Sequence, residues 1–348
     1  MRYHVYLEDE PDLEAYRLSH APRSNYGPVF ICPFVVLTDE DGAMYNAMRG
    51  VQGQTKGTTM NYGIYKLDGR LDAQCPMLIP FSEVPIVEPY RVVEDRDAVS
   101  YVGDSFRFDF APSHYAWSDA DGRLRLEAER LGQVCTFWIP EQPGYEYPQM
   151  LRSHLGKATG TLDGRKVEGL FMLDYIYSRP DAMWSEMGML TKLHNLWMNW
   201  LVEYEDGSLE GGYAWRGRPG NGFAAAHHFA DGVSVARSDA RLETSQTERG
   251  TIERLKLTLG DTVELELEQR GSLDWPLHTC GVVSSIGTGK EIARSWNYTE
   301  YFPLNWPAVA DFQSAHHALF GKYPSFQRLM KDARVEDELL VFDSAPFA

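Results

Sequence analysis

The sequence predicts an all-β protein, mainly antiparallel, with its strands in two barrel-like or sandwich-like halves. Asp-Gly is typical of tight β-hairpins because both turn positions tolerate positive φ angles. It occurs six times, at 41–42, 68–69, 121–122, 163–164, 206–207 and 231–232. The flanking segments alternate apolar and polar residues, as in 106–110, 124–128 and 263–268, which indicates half-buried strands. The strand–helix alternation of a parallel α/β fold does not occur in the sequence.

The predicted strands fall into two sets, separated by a proline-rich stretch. Pro140, Pro143 and Pro148 crowd this stretch. We therefore predict an N-terminal half over 1–148 and a C-terminal half over 149–348.

Helix signals are few and mostly C-terminal. Pro307 stands before the segment AVADFQSAHHALF, and Gly321 follows it. This order is typical of the start and end of a helix. Segments 325–333 and 12–19 predict two shorter helices.

Charge and composition exclude some classes of function. The 348 residues include 33 Lys plus Arg and 50 Asp plus Glu, for a net charge of −17. A field of this sign repels phosphate backbones and anionic lipid, so we expect no nucleic-acid partner. No apolar run approaches the ~20 residues of a membrane-spanning helix, and no apolar segment near the N-terminus predicts a secretory signal. We expect a cytoplasmic protein without stable membrane insertion, either monomeric or homo-oligomeric.

Motifs for cofactors and nucleophiles are mostly missing from the sequence. It contains no Gly-x-Ser-x-Gly elbow and no Gly-x-Gly-x-x-Gly loop. Segment 287–290 resembles part of a phosphate-binding loop, but Glu291 replaces the Ser or Thr that would hold magnesium. The histidine pairs 227–228 and 316–317 are adjacent in sequence, so their side chains point in different directions and fit a metal poorly. We predict neither a metal nor an organic cofactor. Four cysteines without a Cys-x-x-Cys spacing predict buried thiols: Cys32, Cys75, Cys135 and Cys280.

A glycine-bearing segment, 156–180, contains an Asp-Gly turn, then Gly169 and, five residues later, Asp174. Arg179 and Trp184 follow. This pattern resembles the central strand pair of the lipocalin-like hydratase superfamily, which includes the carotenoid 1,2-hydratases and the AttH proteins. Gly169 and Asp174 keep the family's spacing, and Arg179 and Trp184 fall near its arginine and following tryptophan. The resemblance implies two lipocalin-like half-barrels with an apolar pocket at or between them.

The resemblance covers about 150–270, and it has departures. Segment 196–207 is similar to the family's aromatic strand before an Asp-Gly hairpin. Tyr175 stands where the family has His, Tyr177 stands near its Trp, and Ser178 replaces a Gly. Of the acid–base residues that the family resemblance implies, this sequence therefore keeps only Asp174.

Strand alternation within 173–177 places Tyr175 and Tyr177 on one face and Asp174 on the other, with Arg179 following on the tyrosine face. The two tyrosines and the arginine would serve as donors to an oxyanion. The alternative is a barrel wall with packed tyrosines and an ion-paired arginine.

Asp174 has two interpretations. Burial beside aromatic residues would raise its pKa and suit it to general acid or base catalysis. Alternatively, it forms a structural ion pair with Arg179 or Arg216. His194 is the candidate proton shuttle. Trp184 and Trp197 are candidate substrate-binding residues.

A second candidate wall lies near the C-terminus. Period two places Arg294, Trp296, Tyr298 and Glu300 on one face of a strand. We predict Arg294, Trp296 and Tyr298 as substrate-binding residues. The alternative is cation–π stacking of Arg294 on Trp296.

Two classes of function follow from these observations. The first is a cofactor-independent lyase, hydratase or isomerase that acts by acid–base chemistry on a lipophilic molecule, either aromatic and phenylpropanoid-like or terpenoid. Dehydration and retro-aldol cleavage are the candidate reactions. The second is a non-catalytic carrier of an apolar ligand, which needs the pocket but not the acid and base. A glycan-active sandwich is a third option that would need two facing carboxylates.

Overall fold

Two large antiparallel sheets carry the fold in a computed structural model, which describes residues 2–9, 27–52, 58–80, 82–85, 87–143, 148–178, 194–218, 223–261, 263–273, 278–301, 333–336 and 339–342. The first sheet has 14 strands: β1 (His4–Glu8), β2 (Gly27–Asp39), β3 (Met44–Gln52), β4 (Thr58–Lys66), β5 (Met77–Ile79), β6 (Val87–Pro89), β7 (Arg91–Glu94), β8 (Val99–Val102), β9 (Arg107–Phe110), β10 (His114–Asp119), β11 (Leu124–Arg130), β12 (Val134–Ile139), β13 (Gln149–Leu162) and β14 (Arg165–Ser178). A 3-10 turn, Ala120–Gly122, connects β10 and β11.

The second sheet has 9 strands: β15 (His194–Tyr204), β16 (Leu209–Gly217), β17 (Ala224–Ala230), β18 (Val233–Arg237), β19 (Ala240–Gln246), β20 (Ile252–Leu259), β21 (Val263–Ser272), β22 (His278–Ile286) and β23 (Ile292–Tyr301). A separate hairpin pairs β24 (Ala333–Glu336) with β25 (Leu339–Phe342).

Both sheets are joined in the same way, by pairing of strands that are distant in sequence. In the first, β2 pairs with β14, although about 125 residues separate them in sequence. In the second, the first strand β15 pairs with the last strand β23. Each sheet is therefore a curled antiparallel half-barrel, which confirms the predicted fold class.

All six Asp-Gly pairs lie in connections between neighbouring antiparallel strands, and five of these connections are short turns, as predicted. All six glycines have φ between 79° and 86°, in the region that a side chain disfavours. The longer connection holds 68–69, between β4 and β5, where the chain reaches the second sheet. There the Gly69 N–H donates to the Arg270 carbonyl at 2.8 Å.

The apolar side chains form three buried layers, because successive strand residues point to opposite faces. One layer fills the first half-barrel and contains Phe171 and Tyr175. Another fills the second half-barrel and contains Trp200. The third, which we call the interface layer, lies between the two sheets and contains Met172 and Trp197. Strand β14 thus contributes to two layers, one from each face.

Hydrogen bonds join the two sheets across the interface layer. The Trp296 Nε1–H donates to Thr38 Oγ1 at 2.8 Å. The Tyr213 hydroxyl donates to the Cys135 carbonyl at 3.0 Å. Because these donors are buried, each bond also removes an otherwise unsatisfied polar group.

An ion cluster is buried in the first half-barrel. The side chain of Arg49 is 0% exposed. Its Nε and Nη2 both bind the Asp119 carboxylate at 2.7 Å, and its Nη1 binds Glu88 Oε1 at 3.0 Å. The guanidinium also lies 4.6 Å from the Phe106 ring centroid. Breaking such a cluster would leave uncompensated buried charge.

Some predicted boundaries differ from the structure. The sheets divide between residues 178 and 194, not near 148, because β13 and β14 complete the first sheet by pairing with β11, β12 and β2. The helices predicted at 12–19 and after Pro307 lie outside the described residues, as does the helix at 325–333 except for Ala333, which begins β24. Within the described part of the chain, no helix has the length and apolarity to span a membrane.

Candidate functional site

A cleft opens between the two sheets at one side of the interface layer. It has about 80 Å³ of cavity volume within about 680 Å³ of empty space that includes its opening to solvent. At ~10–15 Å³ per water molecule, this cavity volume would hold about five to eight waters. An apolar cavity of ~150 Å³ binds benzene, so a ring-bearing ligand would extend from this cavity into the open part of the cleft.

Aromatic rings form most of the wall. Phe34 of β2 packs against Tyr298 of β23 at a ring-centroid distance of 4.6 Å and against Trp197 of β15 at 5.4 Å. The Trp197 Nε1–H is buried without a hydrogen-bond partner among the described residues. Six aromatic residues line the cleft: Phe30, Phe34, Tyr62, Trp197, Trp215 and Tyr298.

Three polar side chains of the first sheet lie in one row at this cleft. Asp174 of β14 is directly opposite Ser153 of β13 and, on its other side, opposite Cys32 of β2. Residues opposite each other in an antiparallel pair share a face of the sheet. The Ser153 hydroxyl donates to Asp174 Oδ1 at 2.5 Å. Asp174 and Cys32 line the cleft.

Asp174 is 7% exposed. Burial raises the pKa of its carboxyl group, the hydrogen bond from Ser153 lowers it, and the negative charge of Glu300 raises it, and together these effects bring the pKa to about 8. Desolvation dominates because a carboxylate loses its water in an apolar site. Asp174 is therefore mostly protonated at neutral pH and can act as an acid.

The second sheet supplies two more titratable groups, on neighbouring strands. His278 of β22 is directly opposite Glu300 of β23, and His278 Nε2 lies 3.7 Å from Glu300 Oε2. The His278 ring stacks on Tyr298 with centroids 5.7 Å apart. Both residues line the cleft. An acid from one sheet thus faces a carboxylate–imidazole pair from the other.

Cys32 is not an activated nucleophile in this setting. Burial, followed by the charges of Asp174 and Glu300, raises the pKa of its thiol well above the ordinary value. The thiolate, not the thiol, is the reactive form. Cys32 therefore contributes a neutral wall beside Asp174.

The structure brings only part of the predicted site together. Asp174, Trp197 and Tyr298 line the cleft. Tyr175 and Tyr177 do not, because alternation turns both into the first half-barrel. There the Tyr177 hydroxyl accepts a hydrogen bond from Arg152 Nη1 at 3.3 Å.

Of the three substrate-binding residues predicted on β23, Tyr298 lines the cleft and the other two do not. Trp296 faces the interface layer with Tyr298, but it is bonded to Thr38 and does not line the cleft. Arg294 is exposed near the start of β23, where its guanidinium binds Glu203 at 2.8 Å and also Glu168. These ion pairs keep Arg294 away from the cleft.

Three predicted positions cannot be placed. Arg179 and Trp184 lie outside the described residues, and only the backbone of His194 is described, at the start of β15. An ion pair between Asp174 and Arg216 does not form: Arg216 Nε donates to Asn195 Oδ1 at 2.9 Å.

Sequence reasoning did not select Ser153, Cys32, His278 or Glu300 as site residues. Glu300 was visible as the polar member of a period-two face. The other three carry no local signal, since their proximity to Asp174 depends on strand pairing and on the packing of one sheet against the other. The adjacent histidines 227 and 228 lie elsewhere: His228 Nε2 is 2.8 Å from Glu210 Oε1, and burial lowers the pKa of His227 to about 3.

Comparisons with known proteins find similarity in structure. No protein-family profile matches the chain, and no curated protein matches it in sequence. A crystal structure of a protein provisionally named AttH, from Nitrosomonas europaea, has 11% identity and a TM-score of 0.42 over 79% of this chain and 93% of its own. CghA crystallised with Sch210972 has 11% identity and a TM-score of 0.40, over 87% of this chain and 100% of its own. Kievitone hydratase from Nectria haematococca has 8% identity and a TM-score of 0.34, over 80% and 90%. The similarity is distant in each case.

Proposed function

We propose that this chain is a cofactor-independent lyase or hydratase, which removes or adds water on an uncharged apolar molecule by acid–base chemistry. One observation carries the proposal. Asp174 is a buried carboxyl with a pKa of about 8, and it lines the same aromatic cleft as Glu300 and His278 of the opposite sheet. Pairs of titratable groups in different environments are typical of acid–base sites.

Dehydration assigns a role to each group. Asp174 donates its proton to the leaving hydroxyl, and the C–O bond breaks with its electron pair leaving as water. The Glu300–His278 pair accepts the proton from the neighbouring carbon, and that C–H electron pair becomes the new double bond. Hydration is the reverse. Afterwards the proton passes from the base to solvent and Asp174 is reprotonated, so protons balance over the cycle.

A retro-aldol cleavage would use the same groups differently. The Glu300–His278 pair would accept the hydroxyl proton while the C–C bond breaks. Asp174 would protonate the carbon that keeps the electron pair. Both reactions need an acid and a base held near the same substrate, and the shared cleft supports this, since Asp174, Glu300 and His278 all line it.

The lining favours an uncharged substrate that carries a ring. The described lining contains no Lys or Arg to neutralise an anionic group, and the Glu300 carboxylate would repel one. Aromatic faces pack well against planar rings and stabilise developing positive charge. Uncharged phenylpropanoid-like and terpenoid molecules meet these conditions.

The test is turnover of a panel of uncharged hydroxylated and unsaturated phenylpropanoids and terpenoids, incubated with the protein in heavy water and analysed by mass spectrometry. We expect a product that has gained or lost water, or fragments of a C–C cleavage. Asp174→Asn should lower the turnover by at least about 10²-fold, and the exposed-site variant Asp261→Asn is the matched control. Binding of a panel member without any product in either protein would establish a carrier instead.

A further inference from the structure

The hydroxyl of Ser153 is fixed in position next to the carboxyl group of Asp174. Ser153 is 0% exposed and lies directly opposite Asp174 in the β13–β14 pair. Its Oγ is 2.5 Å from Asp174 Oδ1, with the serine as donor.

Ser153 has a second neighbour, which comes from the other sheet. Burial raises the pKa of the Tyr213 hydroxyl well above the ordinary value, and the nearby Ser153 hydroxyl opposes this rise. Tyr213 uses its own hydrogen to bind the Cys135 carbonyl at 3.0 Å. The single hydrogen of Ser153 is directed at Asp174 Oδ1 and not at the tyrosine oxygen.

We infer that Ser153 is a positioning residue for Asp174. Its hydrogen bond to Oδ1 leaves the acidic proton on Oδ2, the oxygen free to face the cleft, and the same bond stabilises the carboxylate that remains after proton delivery. A carboxylate is a stronger acceptor than a phenol. The Ser153 hydroxyl therefore keeps donating its hydrogen bond to Asp174 when the aspartate is ionised. The catalytic part of this inference rests on the proposed function, whereas the effect on the proton of Asp174 does not.

Other groups around Asp174 act differently from Ser153. Glu300 of β23 raises the pKa of Asp174 through its charge. Cys32 of β2 is a neutral thiol. His278 of β22 and Tyr62 of β4 also line the cleft. Within this set, Ser153 is the group whose hydrogen bond favours the ionised form of Asp174.

The experiment is an infrared titration of the protonated carboxyl C=O stretch, assigned to Asp174 by its loss in Asp174→Asn. The midpoint in the unmodified chain should lie near 8. In Ser153→Ala it should rise by about 1–2 pH units, the usual strength of a hydrogen bond to a charged group. Glu300→Gln should shift the midpoint in the opposite direction, downwards. Ser272→Ala, a buried serine of the second sheet, is the matched control and should leave it unchanged.

The outcomes separate this inference from the proposed function. An unchanged or lowered midpoint in Ser153→Ala would overturn the inference, even if the protein proves to be a hydratase. If that variant fails to fold, Ser153→Cys supplies the test. Its S–H is a weaker donor than the serine hydroxyl, so the midpoint should rise by a smaller amount than in Ser153→Ala. An unchanged midpoint in Ser153→Cys would then overturn the inference. A raised midpoint in Ser153→Ala together with an unchanged turnover in Asp174→Asn would support the effect of Ser153 on the pKa of Asp174. The same pair of results would refute the catalytic role of Asp174.

Discussion

Replacing Asp174 by Asn should make the protein more stable at neutral pH while removing its activity. The folded state holds this carboxyl in an apolar cleft where the charged form is unfavourable. Asn has nearly the same shape, its amide oxygen can accept the hydrogen bond from Ser153, and it has no proton to lose. The substitution therefore removes a pH-dependent cost and keeps the packing.

The magnitude follows from the difference between two pKa values. Asp174 has a pKa of about 8 in the folded protein, whereas an Asp in an unfolded chain has a pKa of ~3.9. Below the unfolded value the group is neutral in both states and costs nothing. Between the two values the native state keeps a proton that the unfolded chain releases, so the free energy of unfolding falls by about 1.4 kcal/mol per pH unit. The cost reaches about 4 kcal/mol at pH 7 and levels off above the folded-state pKa.

Urea unfolding of the unmodified chain and of Asp174→Asn, at several pH values between 5 and 9, measures this difference. The free energy of unfolding of Asp174→Asn should exceed that of the unmodified chain, and we expect this difference to grow by about 1.4 kcal/mol per pH unit up to about pH 8. Above that pH the difference should stay constant. Asp261→Asn is the control, since Asp261 is exposed and lies outside the lining of the cleft.

A difference in stability that is constant across this pH range would refute the reasoning, because it would mean that Asp174 is already ionised at pH 5 in the folded chain. A variant that is less stable than the unmodified chain throughout this range would refute it more strongly. In that case the carboxylate would be stabilised in the native state, and the structural ion-pair interpretation of Asp174 would apply.

Further predictions concern pH, the buried ion cluster, the two faces of β14 and metals. Turnover should fall as pH rises through about 8, because Asp174 then loses its proton; a pH–rate profile measures this. Arg49→Met should lower the free energy of unfolding by about 3–5 kcal/mol, because it leaves two buried carboxylates without their partner, and activity per folded molecule should not change. Tyr177→Phe should leave turnover within about twofold, whereas Trp197→Leu should weaken ligand binding roughly tenfold, since only Trp197 lines the cleft. Dialysis against a chelator should leave turnover unchanged, whereas a loss that added zinc or iron restores would contradict the prediction that no metal is needed.

Local sequence signals predicted the architecture well, because hairpins depend on neighbouring residues. The Asp-Gly pairs marked five short turns between paired strands, and their glycines have the positive φ that such turns require. The division between the sheets was harder to predict. A proline-rich stretch looks like a linker, but strand pairing, which involves distant residues, assigns β13 and β14 to the first sheet.

The site was predictable only where alternation sufficed. Alternation correctly separated Asp174 from Tyr175 and Tyr177, but it could not tell which face of β14 borders the cleft. Both faces are buried and apolar over residues 169–178. The face that borders the cleft is set by the second sheet, through residues such as Glu300, which lies more than a hundred positions away in the chain.

The raised pKa of Asp174 and its destabilising effect on the folded protein have one physical cause. A carboxyl group stays protonated at neutral pH only where water is excluded, and two apolar sheet faces packed together exclude water well. The same exclusion destabilises the folded state whenever the carboxyl ionises. A substitution that lets water into the cleft should therefore lower the pKa of Asp174 and reduce its pH-dependent cost together, by the same free energy. Ser153 limits this cost, because it gives the carboxylate one strong hydrogen bond without opening the cleft to solvent.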